Sequence, residues 1–169
     1  GSAVPGRYRM DEAEWRILIE EGNEDDLTAL GWEVADAAAL DTIAARLSSA
    51  DIRFSWGDEA RCVSRSCDRL LEFLDPAGVP NEVVCGRSQG GPFTSLLVKS
   101  GFVAGDQGVG HVVLSGPPTA ARVGFYTDIL GLRLSDSVVT NVHGHPVDIT
   151  FLHANPRHHS VAIGGPPPR

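Results

Sequence analysis

The chain opens on a period of two. Tyr8 and Met10 alternate with arginines, and Trp15, Ile17 and Ile19 repeat the same spacing after "MDEAE". Alternation of this kind marks half-buried strands, so the two stretches predict the arms of a hairpin with "MDEAE" as its turn. From "LGWEVAD" the pattern changes. A short strand over Trp32–Ala35 leads to Asp36, a residue suited to cap a helix. Leu40, Ile43, Ala44 and Leu47 then recur at i, i+3, i+4 and i+7, which predicts an amphipathic helix. "IRFSW", "RCVSRSC", "RLLEFLD" and "NEVVCG" read as strands, the last two separated by the Gly- and Pro-rich turn "DPAGVPN".

The same order then returns. "VGHVVLSG" predicts a short strand. "PPTAARVGFYTDILG" predicts a helix, with Thr119 as its cap and Gly131 just past its end. "LRLSDSVV", "VDITFLHA" and "HSVAIGG" follow as strands. Both halves are therefore expected to be β-α-β-β-β units, a duplicated module rather than a solenoid. Their openings match, Gly31-Trp32-Glu33-Val34 against Gly110-His111-Val112-Val113. The first unit carries tryptophan where the second carries histidine, so the chemistry is expected in the second. The expected organisation is 1–86 for the N-terminal part (a fragment of sheet and one full unit), 87–108 for a Gly-rich linker, and 109–169 for the second unit, where the chemistry is expected.

Composition narrows the function classes. The 169 residues are 42% hydrophobic and 21% charged, with a formal net charge of −8. So acidic a chain offers no broad basic face, which argues against nucleic acid and anionic membrane as partners. No apolar run approaches the ~20 residues that span a bilayer, and the N-terminus lacks the build of a signal peptide. Gly1 and Ser2 read as a cloning remnant. Cys62, Cys67 and Cys85 have neither zinc-knuckle nor disulfide-framework spacing. They read as free thiols in a reducing cytoplasm.

The candidate chemistry is histidine. Strand alternation puts His111 and Val113 on one face, with Val112 and Leu114 on the other. If the latter pack on the helix, His111 points into an open cup. In the final hairpin, Ile149, Phe151 and His153 share a face, and so do His159, Val161 and Ile163. Hairpin pairing would bring His159 to the same cup, with Phe151 lining its wall. His143 and His145 read as exposed loop residues, His153 as a strand end, and His158 as a hydrogen-bonded residue pointing away from His159. From the residues alone, His111 and His159 fit equally a pair of satisfied polar groups or a site.

"DQGVGHVVLS", "FYTDILGLRLSDSV" and "FLHANPRHHSVAI", in that order, resemble the type I extradiol ring-cleavage dioxygenases of the vicinal oxygen chelate superfamily. The enzymes that open 2,3-dihydroxybiphenyl and the steroid-catechol dioxygenases are the nearest in kind, and "GNEDDLTALGWEVADAAAL" resembles their N-terminal domain. The resemblance implies an α+β fold of tandem βαβββ modules, with curved mixed sheets and helices on the outer face. It implies Fe(II), or in some members Mn(II), held by two histidines and one carboxylate. His111 falls on a metal ligand, His159 on the acid–base group, and Val113 and Phe151 on the substrate pocket. The partners implied are a small aromatic diol and O2, with a homo-oligomer left open.

Family members have four modules. The resemblance places this chain on the tail of the first, all of the second and the third. The second histidine ligand and the glutamate ligand would then lie beyond Arg169. Two alternatives follow from that: a metal-free binding or scaffold protein, and a glyoxalase-like module that completes its site in an oligomer.

Overall fold

A computed structural model describes residues 6–23, 25–95, 97–102 and 107–165. The chain divides into two compact units, Gly1–Ala104 and Gly105–Arg169. Linker residues 103–106 and the C-terminal residues 166–169 lie outside the described residues.

The N-terminal unit begins with a small antiparallel hairpin of β1 (Arg7–Tyr8) and β2 (Ile17–Leu18). Trp15 anchors it. The Arg7 and Arg87 guanidinium groups lie 5.5 and 5.3 Å from the indole ring, and the indole Nε1 donates to Ser66 Oγ at 3.0 Å. A β-α-β-β-β run follows: β3 (Leu30–Glu33), α1 (Ala37–Ser49), β4 (Phe54–Trp56), β5 (Arg69–Leu74) and β6 (Pro80–Cys85). The Asp36 carboxylate caps α1 by accepting from Ala39 N at 2.8 Å, and Leu40, Ile43, Ala44 and Leu47 are buried, as their spacing requires. The sheet order is β3-β6-β5-β4, with β3 parallel to β6 and the other pairs antiparallel.

Two boundaries differ from expectation. The first strand covers Leu30–Glu33 rather than Trp32–Ala35. "RCVSRSC" does not form a strand: α2 occupies Glu59–Arg65. Asp58 caps this helix by accepting from Arg61 N at 2.8 Å. Arg61 and Arg65, one helical turn apart, both reach Glu82, and Arg61 also bonds Glu72. That ion network, with the Asp58 cap, overrides an apparent alternation whose one large apolar residue, Val63, stays exposed.

The C-terminal unit repeats the plan with β7 (Val112–Leu114), α3 (Ala120–Gly124), β8 (Arg133–Val142), β9 (His145–His153) and β10 (Val161–Gly164). Its sheet order is β7-β10-β9-β8, again with first and last strands parallel and adjacent. Thr119 caps α3, and a π-helical turn, Phe125–Ile129, extends it. That wider turn carries Phe125, Tyr126 and Ile129, all buried. Leu114, Leu152, Val161 and Ile163 complete the core on one side of the sheet. The other side is left open at Val113, which is 57% exposed. Both units are thus βαβββ modules with curved, mixed sheets.

Candidate functional site

The site grows from the end of the β9–β10 hairpin. Residues 154–160 form an irregular turn that three local bonds shape. Ser160 Oγ accepts from Ala154 N at 3.1 Å, Asn155 Oδ1 accepts from Arg157 N at 3.0 Å, and Asn155 Nδ2 donates to Gln107 O at 2.8 Å. β10 then enters the sheet between β9 and β7. Val112 N donates to Ser160 O at 3.1 Å, fastening the start of β7 beside the end of the turn.

That bond sets His111, the residue before β7, next to His159. Their ring centroids lie 4.5 Å apart. Phe151 meets His159 at 5.0 Å in an edge-on arrangement. Strand pairing puts Val113, Ala162 and Phe151 on one rung, so Val113 and Phe151 stand on either side of Ala162 on a common face. Ala162 is 2% exposed and forms the floor between them.

His158 departs from its expected place. Strand alternation points it away from His159, yet its Nδ1 is 3.0 Å from His159 Nδ1 and its ring centroid is 5.9 Å from that of Phe151. Strand alternation fails because His158 and His159 precede β10 and belong to the turn. His153 ends β9, as expected, with its Nδ1 2.6 Å from Ser135 Oγ. His143 has φ 52° in the β8–β9 turn, and exposed His145 begins β9.

The electrostatics favour an uncharged His159. Burial holds its pKa below the ordinary imidazole value, and the neighbouring His111, His158 and Arg157 lower it further. An imidazole kept neutral beside a second imidazole can accept a proton from a ligand hydroxyl.

Among the described residues, no group of three or more His, Cys, Asp or Glu side chains comes together in a way that could hold a metal ion. A cavity of about 490 Å³ belongs to the N-terminal unit and contains no histidine. Arg61, Arg65, Glu72 and Glu82 line it and satisfy one another. Trp32, at the position matched to His111, gives its indole Nε1 to Asn81 Oδ1 at 2.9 Å. No helix among the described residues is long and apolar enough to cross a membrane.

Residues 108–169 match the family described as the Glyoxalase/Bleomycin resistance protein/Dioxygenase superfamily, which agrees with the βαβββ order of the C-terminal unit. The relatives narrow this further. Over 95% of its length the chain is 42% identical to the biphenyl-2,3-diol 1,2-dioxygenase of Pseudomonas sp. strain KKS102, covering 56% of that protein. It is 38% identical to the iron-dependent extradiol dioxygenase of Rhodococcus jostii strain RHA1, over 92% of this chain and 54% of that one. Among solved structures, the 2,2',3-trihydroxybiphenyl 1,2-dioxygenase of Sphingomonas wittichii strain RW1 superimposes with a TM-score of 0.82 at 31% identity, over 98% of this chain and 57% of that one. Over the length it shares with them, the chain is similar to extradiol dioxygenases. It spans about half the length of the relatives it matches.

Proposed function

We propose that the C-terminal unit carries the substrate wall and proton-transfer group of an extradiol ring-cleavage dioxygenase. The substrates are a catechol of the 2,3-dihydroxybiphenyl or steroid type and O2. The convergence of His111, His159 and Phe151 on one open face carries this reading. The names of the relatives at 38–42% identity support it.

His159 accepts a proton from a catechol hydroxyl, a task for which its lowered pKa keeps it ready. Phe151 and Val113, on either side of Ala162 on one rung, flank the aromatic ring. His111 is the metal ligand that this unit contributes. Iron(II) is the metal this reading requires, with manganese(II) as the alternative. The described residues do not by themselves fit that ion. A catalytic metal of this kind needs three strong protein ligands, and His111 is one.

Calorimetric titration of the chain with 2,3-dihydroxybiphenyl, with and without iron(II), tests the reading. An oxygen electrode and the absorbance of a ring-fission product are followed in parallel. Saturable binding is expected. Phe151→Ala weakens it about tenfold, the worth of one edge-on aromatic contact of roughly 1.4 kcal/mol. Absence of binding by the unaltered chain under both conditions refutes the reading.

A further inference from the structure

β8 does not pair regularly with β9. Arg133 faces His153 and Leu134 faces Leu152, but the next pair is Asp136 with Phe151. Ser135 is the extra residue, a β-bulge beside the histidine cluster. Its Oγ lies 2.6 Å from His153 Nδ1 and donates to the carbonyl oxygen of His158.

The proton count fixes the roles. A serine hydroxyl has one hydrogen to give. The His158 carbonyl can only accept, so that hydrogen goes to it. His153 Nδ1 must then be the donor to Ser135 Oγ. This puts a hydrogen on His153 Nδ1 and, in the neutral ring, leaves Nε2 with the lone pair.

The same hydroxyl thus ties the last residue of β9 to the backbone just before His159. The other bonds that shape the turn act at Ala154, Asn155, Arg157 and Ser160. Among the described residues, the Ser135 contact alone is a hydrogen bond to the backbone of His158 or His159. The His158 ring, held in turn, meets His159 through the Nδ1···Nδ1 contact of 3.0 Å.

We propose that Ser135, delivered by the β8 bulge, is a positioning residue that clamps His153 to the His158 carbonyl and so sets the placement of His159 against His111 and Phe151. Its significance for catechol chemistry rests on the function proposed above; the clamp itself does not.

Long-range ¹H–¹⁵N spectra of the chain labelled at histidine nitrogen test this without any activity. In the unaltered chain His153 shows the Nδ1–H pattern. Ser135→Ala loses that pattern and moves or broadens the His158 and His159 ring signals. Ser135→Thr, which keeps a hydroxyl and suits a strand, restores both. An Nε2–H pattern for His153 in the unaltered chain overturns the proposal whether or not the alanine variant folds. So does a folded Ser135→Ala protein whose His158 and His159 signals stay in place. Adding 2,3-dihydroxybiphenyl to the same samples separates the two ideas. Histidine signals that respond to Ser135→Ala but not to the diol uphold the clamp while removing the catechol reading.

Discussion

Glu82→Ala is expected to destabilise the N-terminal unit more than any surface change. Glu82 sits on β6 directly opposite Glu72 on β5, two like charges on one rung of the sheet. The arginines of α2 resolve that repulsion. Arg65 Nε and Nη2 donate to the two Glu82 oxygens at 2.7 and 2.9 Å, and Arg61 Nη2 donates to Oε1 at 3.0 Å. The side chains of Arg65 and Glu82 are only 11% and 12% exposed, so water can replace little of what is lost. Removing one partner of such a pair costs roughly 3–5 kcal/mol, because the remaining charge stays buried and unpaired. A typical domain has about 5–15 kcal/mol in all. With a urea dependence near 2 kcal/mol per molar, a loss of about 4 kcal/mol lowers the unfolding midpoint by about 2 M. Trp15, Trp32 and Trp56, the three tryptophans of the chain, all lie in this unit, so their fluorescence reports its unfolding alone. The double change Glu82→Leu with Arg65→Met removes both charges together and is expected to recover most of the loss. A single variant within about 1 kcal/mol of the unaltered chain, or a double variant no better than the single, refutes the account.

Two further outcomes follow from burial of titratable groups. Burial, with Cys62 close by, pushes the Cys67 thiol up to about 12. Alkylation of the folded chain near pH 8, read by peptide mass, should therefore modify half-buried Cys62 well before Cys67; equal rates would contradict this. Because the folded value is raised, the stability that Cys67 contributes is complete below its ordinary value of 9.0 and is lost as pH rises toward about 12. His159 has the opposite dependence. Its folded pKa is lowered, so its contribution is complete above the ordinary value of 6.5 and is lost as pH falls through the depressed value. Ring-proton shifts followed against pH should place the His159 midpoint below the ordinary value of 6.5. A midpoint above that value would refute the burial argument.

How much could be read in advance depended on how local each cause was. α1 was legible because its cap, Asp36, is adjacent to it, and its buried stripe recurs within four residues. The repeated strand–helix–strand order was legible for the same reason, since a period of two or 3.6 is written into neighbouring residues. His111 and Val113 sharing a face needs only that alternation, as does Phe151 sharing one with His153. The two histidine rings came to 4.5 Å because β10 inserts between β7 and β9 and a backbone bond joins Val112 to Ser160, a pairing remote in sequence. α2 was misread as a strand because its partners, Glu72 and Glu82, lie on other elements. The place of His158 was missed because alternation holds along a strand and ceases in a turn. Ser135 carried no signal, since a bulge is a mismatch between two strands and neither strand records it alone. Short-range periodicity and capping thus determined the elements and their order. Pairing between distant strands, and the ion and hydroxyl partners it supplied, decided which side chains meet.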